Sequence, residues 1–245
     1  MDVAATDRRE PGTSPLRKTG RTTGLWYLAL GITGILSYLL IRPQIFVAGD
    51  PAATFTNLVD REALARLGLS LELAMIVIQA ALAVSFYKLF RVINHTAAWA
   101  LAAFGMANAI AILGSASYWA TSLSVANNLA LAPGGDTVAT IQLLHQLSSN
   151  TWGVAAVFFG LWLIPMGHIV LTSGLMPKWL GRILIVGGVG YVASALVKHG
   201  VVGSPTWLVE GLTVPATVGE FWMIGYLLIK GVKTPSSDPD TVNAL

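Results

Sequence analysis

Six long apolar segments dominate the chain, and they limit the folds that it can adopt. They cover Gly24–Ile41, Leu67–Tyr87, Ala97–Tyr118, Trp152–Thr172, Leu180–Val197 and Gly211–Ile229. A helix of about 20 apolar residues is long enough to cross the hydrocarbon core of a bilayer. Because lipid offers no hydrogen bonds, each crossing segment must pair its backbone groups internally. The sequence therefore predicts an all-α fold, a polytopic bundle of six transmembrane helices, in a multi-pass protein of the cell membrane.

The composition agrees with a lipid bilayer as the main partner of this chain. Hydrophobic residues make up 54% of the sequence and charged residues only 11%, which lies outside the range of soluble globular domains. The sequence pI of about 9.3 reflects basic residues that flank the predicted spans, so no nucleic-acid partner is expected. The absence of cysteine excludes thiol catalysis, disulfides and thiolate metal sites.

Lysine and arginine are distributed unevenly between the two ends of the predicted spans. Eleven of the fifteen fall on one side, at Arg8, Arg9, Arg17, Lys18, Arg21, Lys88, Arg91, Lys178, Arg182, Lys230 and Lys233. The other four are Arg42, Arg61, Arg66 and Lys198. Since cytoplasmic loops of membrane proteins carry the excess of basic residues, this count predicts that both termini are cytoplasmic.

The polar ends of the chain set the predicted domain boundaries. Residues 1–23 are expected to form a disordered basic cytoplasmic tail, and residues 233–245 a second disordered cytoplasmic tail. Residues 24–232 form the predicted six-span membrane domain. Between spans one and two, Asp50 followed by Pro51 resembles a helix start, so a short interfacial helix is expected there.

Glu220 lies within an otherwise apolar segment, Thr213–Ile229, that contains no lysine, arginine or aspartate. A charged side chain at the centre of a bilayer costs about 2.5 kcal/mol or more on insertion scales. Such residues therefore usually face a protein interior or a water-filled cavity, and they often carry a function. Glu220 is the first candidate for a functional residue.

Other polar residues recur at helical spacing, so that they share faces of the predicted spans. Glu72 and Gln79 are seven residues apart on span two, and Thr217 precedes Glu220 by three residues on span six. At about 1.5 Å per residue, Glu72 and Lys198 fall in the outer half of the membrane, where they are expected to form an ion pair. These positions predict a pocket open to the extracytoplasmic side, whose candidate ligand-binding residues are Glu220, Glu72, Lys198, Asn108, Gln79, Tyr191, Thr217 and His145. The alternative is that the polar side chains only join helices to one another.

Small residues and prolines also have predicted roles within the spans. Gly153, Gly160 and Gly167 recur at seven-residue intervals on span four, which favours close approach of a neighbouring helix. Pro165 and Pro215 are expected to kink spans four and six.

Three runs of the sequence resemble a known family. They are LSLELAMIVIQAALAVSFYKLF, FFGLWLIPMGHIVLTSGLMPKWLGRILIVGGVGYVASAL and GEFWMIGYLLIKGV. In these runs the chain resembles the domain-of-unknown-function family 4386, whose members are bacterial and archaeal integral membrane proteins. The resemblance covers most of residues 24–232. It implies a six-helix membrane protein with a glutamate in span two and another in span six, here Glu72 and Glu220, and it implies no activity.

Three functions remain open on the sequence alone. The first is binding or transport of a small amphipathic or cationic ligand, or of protons, in the predicted pocket. The second is an accessory subunit of a membrane complex, and the third is an intramembrane enzyme that acts on a lipid-soluble substrate. No metal site or cofactor is expected, because the four histidines do not show metal-ligand spacing. The sequence does not decide whether the chain forms an oligomer.

Overall fold

Six long helical spans run through the part of the protein that the computed structural model describes, residues 15–232. They cover Leu16–Ile45, Glu62–Phe90, His95–Asn127, Thr137–Ser173, Lys178–Gly200 and Thr206–Ile229. This confirms the predicted all-α bundle of six spans. Each span extends beyond its predicted apolar segment, because the helices continue into the polar connections.

Span one contains three helical segments. Helix α1 covers Pro15–Gly34, and the backbone then widens to π-helical hydrogen bonding over Ile35–Ile41 before α2, Arg42–Ile45. The Arg42 amide donates to the Ser37 carbonyl, five residues back. Since α1 begins at Pro15, the predicted disordered tail of residues 1–23 is wrong for residues 15–23. Residues 1–14 and 233–245, the rest of the predicted tails, lie outside the described residues.

A short helix, α3, covers Pro51–Asp60 and confirms the helix expected between spans one and two. Asp50 caps it, because its side chain accepts a hydrogen bond from the Ala53 amide. The buried Leu58 packs α3 into a cluster that also contains Trp119 and Ile141. This contact fixes the chain above the ends of the spans.

The remaining helices follow in order along the chain. They are α4, Glu62–Phe90; α5, His95–Asn127; α6, Thr137–Ser173; α7, Lys178–Gly200; α8, Thr206–Gly211; and α9, Val214–Ile229. Pro165 lies inside the continuous α6. Pro215 lies in the first turn of α9, where its missing amide costs no helical hydrogen bond. The expected kink of span six at Pro215 is therefore wrong, and the helix break precedes the proline.

The six spans form a closed ring. Helix α1 packs against α4 and α9, α4 against α5, α5 against α6, α6 against α7, and α7 against α9. Glycines allow the closest of these contacts, because a Cβ on Gly160 or Gly167 would overlap the carbonyl oxygen of Gly188 or Gly181 on α7. This confirms that Gly160 and Gly167 admit a neighbouring helix.

Both described ends of the chain lie at one end of the ring, where Gly20 is next to Val232. We refer to this as the terminal end and to the opposite end, which carries α3, as the loop end. One buried cluster, which includes Leu82 and Leu101, lies towards the terminal end. A second, around Trp119, lies at the loop end. Gln79 on α4 and Ile112 on α5 lie between these two clusters, and both line a cavity.

Candidate functional site

A cavity of about 490 Å³ lies inside the ring, and all six spans contribute to its wall. Five of the eight residues predicted from the sequence to form a pocket line this cavity, namely Glu220, Gln79, Tyr191, Thr217 and Lys198. The other three, Glu72, Asn108 and His145, lie elsewhere. The structure therefore collects side chains from α4, α7 and α9 around one space.

Glu220 lies in this cavity and accepts a hydrogen bond from span one. The Tyr27 hydroxyl donates to Glu220 Oε1 at 2.7 Å, and the Tyr27 side chain is only 3% exposed. Edge-on contacts with Phe86 and Trp162 hold the phenol ring in place. Sequence patterning did not identify Tyr27, because it looks like an ordinary aromatic residue in an apolar span and only the packing of α1 against α9 brings it to Glu220.

Gln79 of α4 contributes a buried polar group to the wall of the same cavity. Its Nε2 donates to the Gly105 carbonyl at 3.1 Å, whereas its Oε1 is buried without a hydrogen-bond partner among the described residues. A buried acceptor without a partner costs free energy. Gln79 Oε1 is therefore an unsatisfied acceptor within the cavity wall.

Lys198 lies at the loop end of the cavity. Its Nζ is 3.3 Å from the point where a Cβ of Gly153 would stand, and His199 Nε2 lies beside the same glycine. A larger residue at Gly153 would displace the ammonium group. Lys198 is exposed, unlike Glu220, which is partly buried. The cavity thus has a cation at its loop end and a carboxyl group deeper in the ring.

The wall between spans one and six reaches the surface of the bundle. Leu39 of the π-helical segment and Phe221 of α9 both line the cavity, yet they are 61% and 56% exposed. Closer to the terminal end, α1 and α9 are in contact, since Gly24 abuts Leu227. The two helices therefore meet at the terminal end, and the cavity lies next to the lipid-facing surface above that contact.

Glu72 belongs to a separate buried network at the loop end. Its Oε1 is 3.6 Å from Arg42 Nη1 and accepts hydrogen bonds from Ser115 Oγ at 2.9 Å and Trp152 Nε1 at 3.0 Å. Arg42 Nη2 also donates to Ser148 Oγ at 2.6 Å. The predicted Glu72–Lys198 ion pair is therefore wrong, because Arg42 is the partner of Glu72.

Arg42 reaches the interior because of the shape of span one. The π-helical segment shifts the angular position of the residues that follow it, and the guanidinium group then lies 5.4–5.6 Å from the ring centres of Tyr38, Phe46 and Trp119. Such contacts stabilise a poorly hydrated guanidinium group. Sequence reasoning assigned Arg42 to a loop, since its position after an apolar run gives no sign of burial.

The network forms part of the cavity roof. Trp152, which donates to Glu72, also lines the cavity, and so does Tyr38, which contacts Arg42. The Tyr38 and Trp152 rings are 4.8 Å apart. The ion pair thus fixes two of the aromatic side chains that face the cavity.

Asn108 and His145 do not line the cavity. Asn108 is fully buried, and neither its oxygen nor its nitrogen has a hydrogen-bond partner among the described residues. His145 stacks on Phe46, with ring centres 4.7 Å apart, and lines a separate pocket of about 120 Å³ next to α3. Within residues 15–232, no group of three or more histidine, aspartate or glutamate residues is placed to hold a metal ion.

Comparison with known proteins identifies the family. A family model described as "Domain of unknown function (DUF4386)" matches residues 22–231. The chain belongs to this family. An uncharacterized protein of Archaeoglobus fulgidus is 30% identical to this DUF4386 member over 92 residues, which is 37% of this chain and 53% of that protein. The match thus spans about half the length of the relative. No solved structure matches the chain.

Proposed function

We propose that this DUF4386 protein binds or transports a small amphipathic molecule with a positive charge, and that the ligand occupies the central cavity. The observation that supports this most directly is Glu220, a carboxyl group in a cavity lined by all six spans. The ion pairs Arg42–Glu72 and Arg66–Glu62 do not include it. A bound cation would compensate its charge in a medium where an unpaired charge is costly.

The lining suits an amphipathic ligand. Aromatic and aliphatic side chains form most of the wall, and a few polar groups are placed among them, as is usual for small-molecule sites. The positive-inside rule puts the loop end, with Lys198, on the extracytoplasmic side. The ligand therefore enters from that side of the membrane or from its outer leaflet.

The test is binding of decylamine to the purified protein in lipid nanodiscs. We expect Glu220→Gln to weaken binding by about tenfold to a hundredfold, because a hydrogen bond between charged groups contributes about 1.5–3 kcal/mol. Equilibrium dialysis with labelled decylamine measures the affinity. Glutamine has nearly the same shape as glutamate and can still accept the Tyr27 hydrogen bond, so the fold is expected to remain.

The matched control is Glu210→Gln in α8, which neutralises an exposed glutamate outside the cavity. It should bind decylamine as the natural sequence does. Equal affinity of the natural protein and Glu220→Gln would contradict the proposal. Uptake of labelled decylamine into proteoliposomes then separates transport from binding.

A further inference from the structure

Two groups of opposite charge lie at different levels of the same cavity. Lys198 is next to Gly153 at the loop end. Glu220 is joined through Tyr27 to Trp162, since Tyr27 donates to Glu220 and its ring is 5.4 Å from the Trp162 ring. Both Gly153 and Trp162 are on α6. The distance between them along this helix therefore approximates the distance between Lys198 and Glu220.

The separation is too large for a direct ion pair. At about 1.5 Å per residue, the levels of Gly153 and Trp162 on α6 differ by roughly 13 Å. Glu72 does not neutralise Lys198, because it is paired with Arg42. The cavity thus has a negative end at Glu220 and a positive end at Lys198, with space between them for a ligand.

The wall between these ends is mainly apolar. Met75, Ile112 and Phe159 line it, together with the Trp152 ring, which stacks on Phe159 at 5.7 Å. A ligand with polar groups along its middle would lose hydration against this wall without compensation. Few polar groups interrupt this wall, and one of them, Gln79 Oε1, is buried without a hydrogen-bond partner among the described residues.

We propose that the ligand is an elongated zwitterion, with an ammonium group at Glu220, an anionic group at Lys198 and an apolar chain between them. This inference rests on the proposed function and specifies its ligand. A short zwitterion such as an amino acid cannot reach both charges, and a simple alkylamine leaves Lys198 without a partner. The positions of Glu220 and Lys198 therefore determine the charge at each end of the ligand and the distance between the two charged groups.

The experiment compares three probes with chains of ten carbon atoms: ω-aminodecanoate, decylamine and decanoate. Each is labelled, and its binding to the protein in nanodiscs is measured by equilibrium dialysis, with empty nanodiscs as the blank. We expect ω-aminodecanoate to bind about tenfold or more tightly than either probe with one charged group, because a second charge-assisted contact forms.

Two variants assign the ends of the ligand. Lys198→Gln should reduce the affinity for ω-aminodecanoate to that for decylamine. Glu220→Gln should weaken the binding of both amines by about tenfold or more. Lys178→Gln, the same substitution at the other end of α7, is the matched control and should alter none of these affinities.

The outcomes separate this inference from the proposed function. If decylamine binds as tightly as ω-aminodecanoate and depends on Glu220, the zwitterion is wrong and the cationic site stands. If neither amine binds in a Glu220-dependent way, both proposals are wrong. If Lys198→Gln binds ω-aminodecanoate as the natural protein does, the assignment of the anionic end is overturned.

Discussion

Arg42 and Glu72 show how much a single buried pair can depend on its surroundings. Arg42 is 7% exposed and Glu72 is 1% exposed. Two serines and a tryptophan form hydrogen bonds with the pair, whereas Glu72 Oε2 is buried without a hydrogen-bond partner among the described residues. Removing charges from water is costly, and this cost is offset only when both partners are present. The pair is therefore sensitive to the loss of one member.

Arg42→Met should lower the free energy of unfolding by about 3–5 kcal/mol, because Glu72 is left buried without its cation. Unfolding in mixed micelles with increasing denaturing detergent measures this change. Arg66→Met is the control, since Arg66 pairs with Glu62 at an exposed site, where a helical ion pair contributes only about 0.5 kcal/mol. Equal losses in the two variants would show that the buried pair has no special role in stability.

The residue scale also shows the limit of sequence patterning. Glu220 could be identified, because a lone carboxylate stands out in an apolar run. The partner of Glu72 could not, because helical spacing relates residues within one span and does not reveal which spans are neighbours. Depth in the membrane pointed to Lys198 as the partner, and Arg42 was not considered, because the π-helical turn that brings it into the interior has no evident sequence signature.

At the scale of helices, glycine determines how closely α6 and α7 approach. Gly160 faces the backbone of Gly188, whereas Gly225 on α9 has open space where a Cβ would be. The sequence predicted the first of these contacts from the seven-residue spacing on span four. It could not predict the break before α9. A proline such as Pro215 occurs both inside kinked helices and in the first turn of a new helix, and the sequence alone does not distinguish the two.

Gly160→Ala should destabilise the protein by about 1–3 kcal/mol, because the added methyl group forces two helices apart. Gly225→Ala should be neutral or stabilising by up to about 1 kcal/mol, since alanine favours the helix and nothing obstructs its methyl group. The same detergent unfolding assay compares the two. A loss for Gly225→Ala as large as that for Gly160→Ala would contradict the close contact as the cause.

At the scale of the whole molecule, the ring of six spans was only partly predictable. The number and approximate limits of the spans follow from hydropathy, because each must be long enough to cross the bilayer. The order of helices around the ring depends on side-chain packing between spans far apart in sequence. Of the residues predicted to share a pocket by depth and face, Glu220, Gln79 and Tyr191 line one cavity, while Asn108 and His145 lie outside it.

The orientation in the membrane is a prediction that the cysteine-free sequence makes easy to test. Leu131→Cys places a thiol on the exposed loop end, and Lys230→Cys places one at the terminal end. A membrane-impermeant maleimide should label only Leu131→Cys in intact cells and both variants after the membrane is opened, because basic loops remain cytoplasmic.

The natural sequence is the blank for this labelling, since it contains no cysteine. Labelling of Lys230→Cys in intact cells would reverse the orientation and move the loop end of the cavity to the cytoplasmic side. The binding experiments in nanodiscs do not depend on this result, because both faces of a nanodisc are accessible.

The hydrogen bond from Tyr27 to Glu220 joins residues 193 positions apart, and this has a consequence for biosynthesis. At about 5–20 residues per second, the ribosome adds Glu220 roughly ten to forty seconds after Tyr27. During that time the Tyr27 hydroxyl has no Glu220 carboxyl group to which it can donate its hydrogen bond. A nascent chain stopped before span six would carry five inserted helices but no Glu220 carboxyl, so the completed site reports that synthesis has reached the last helix.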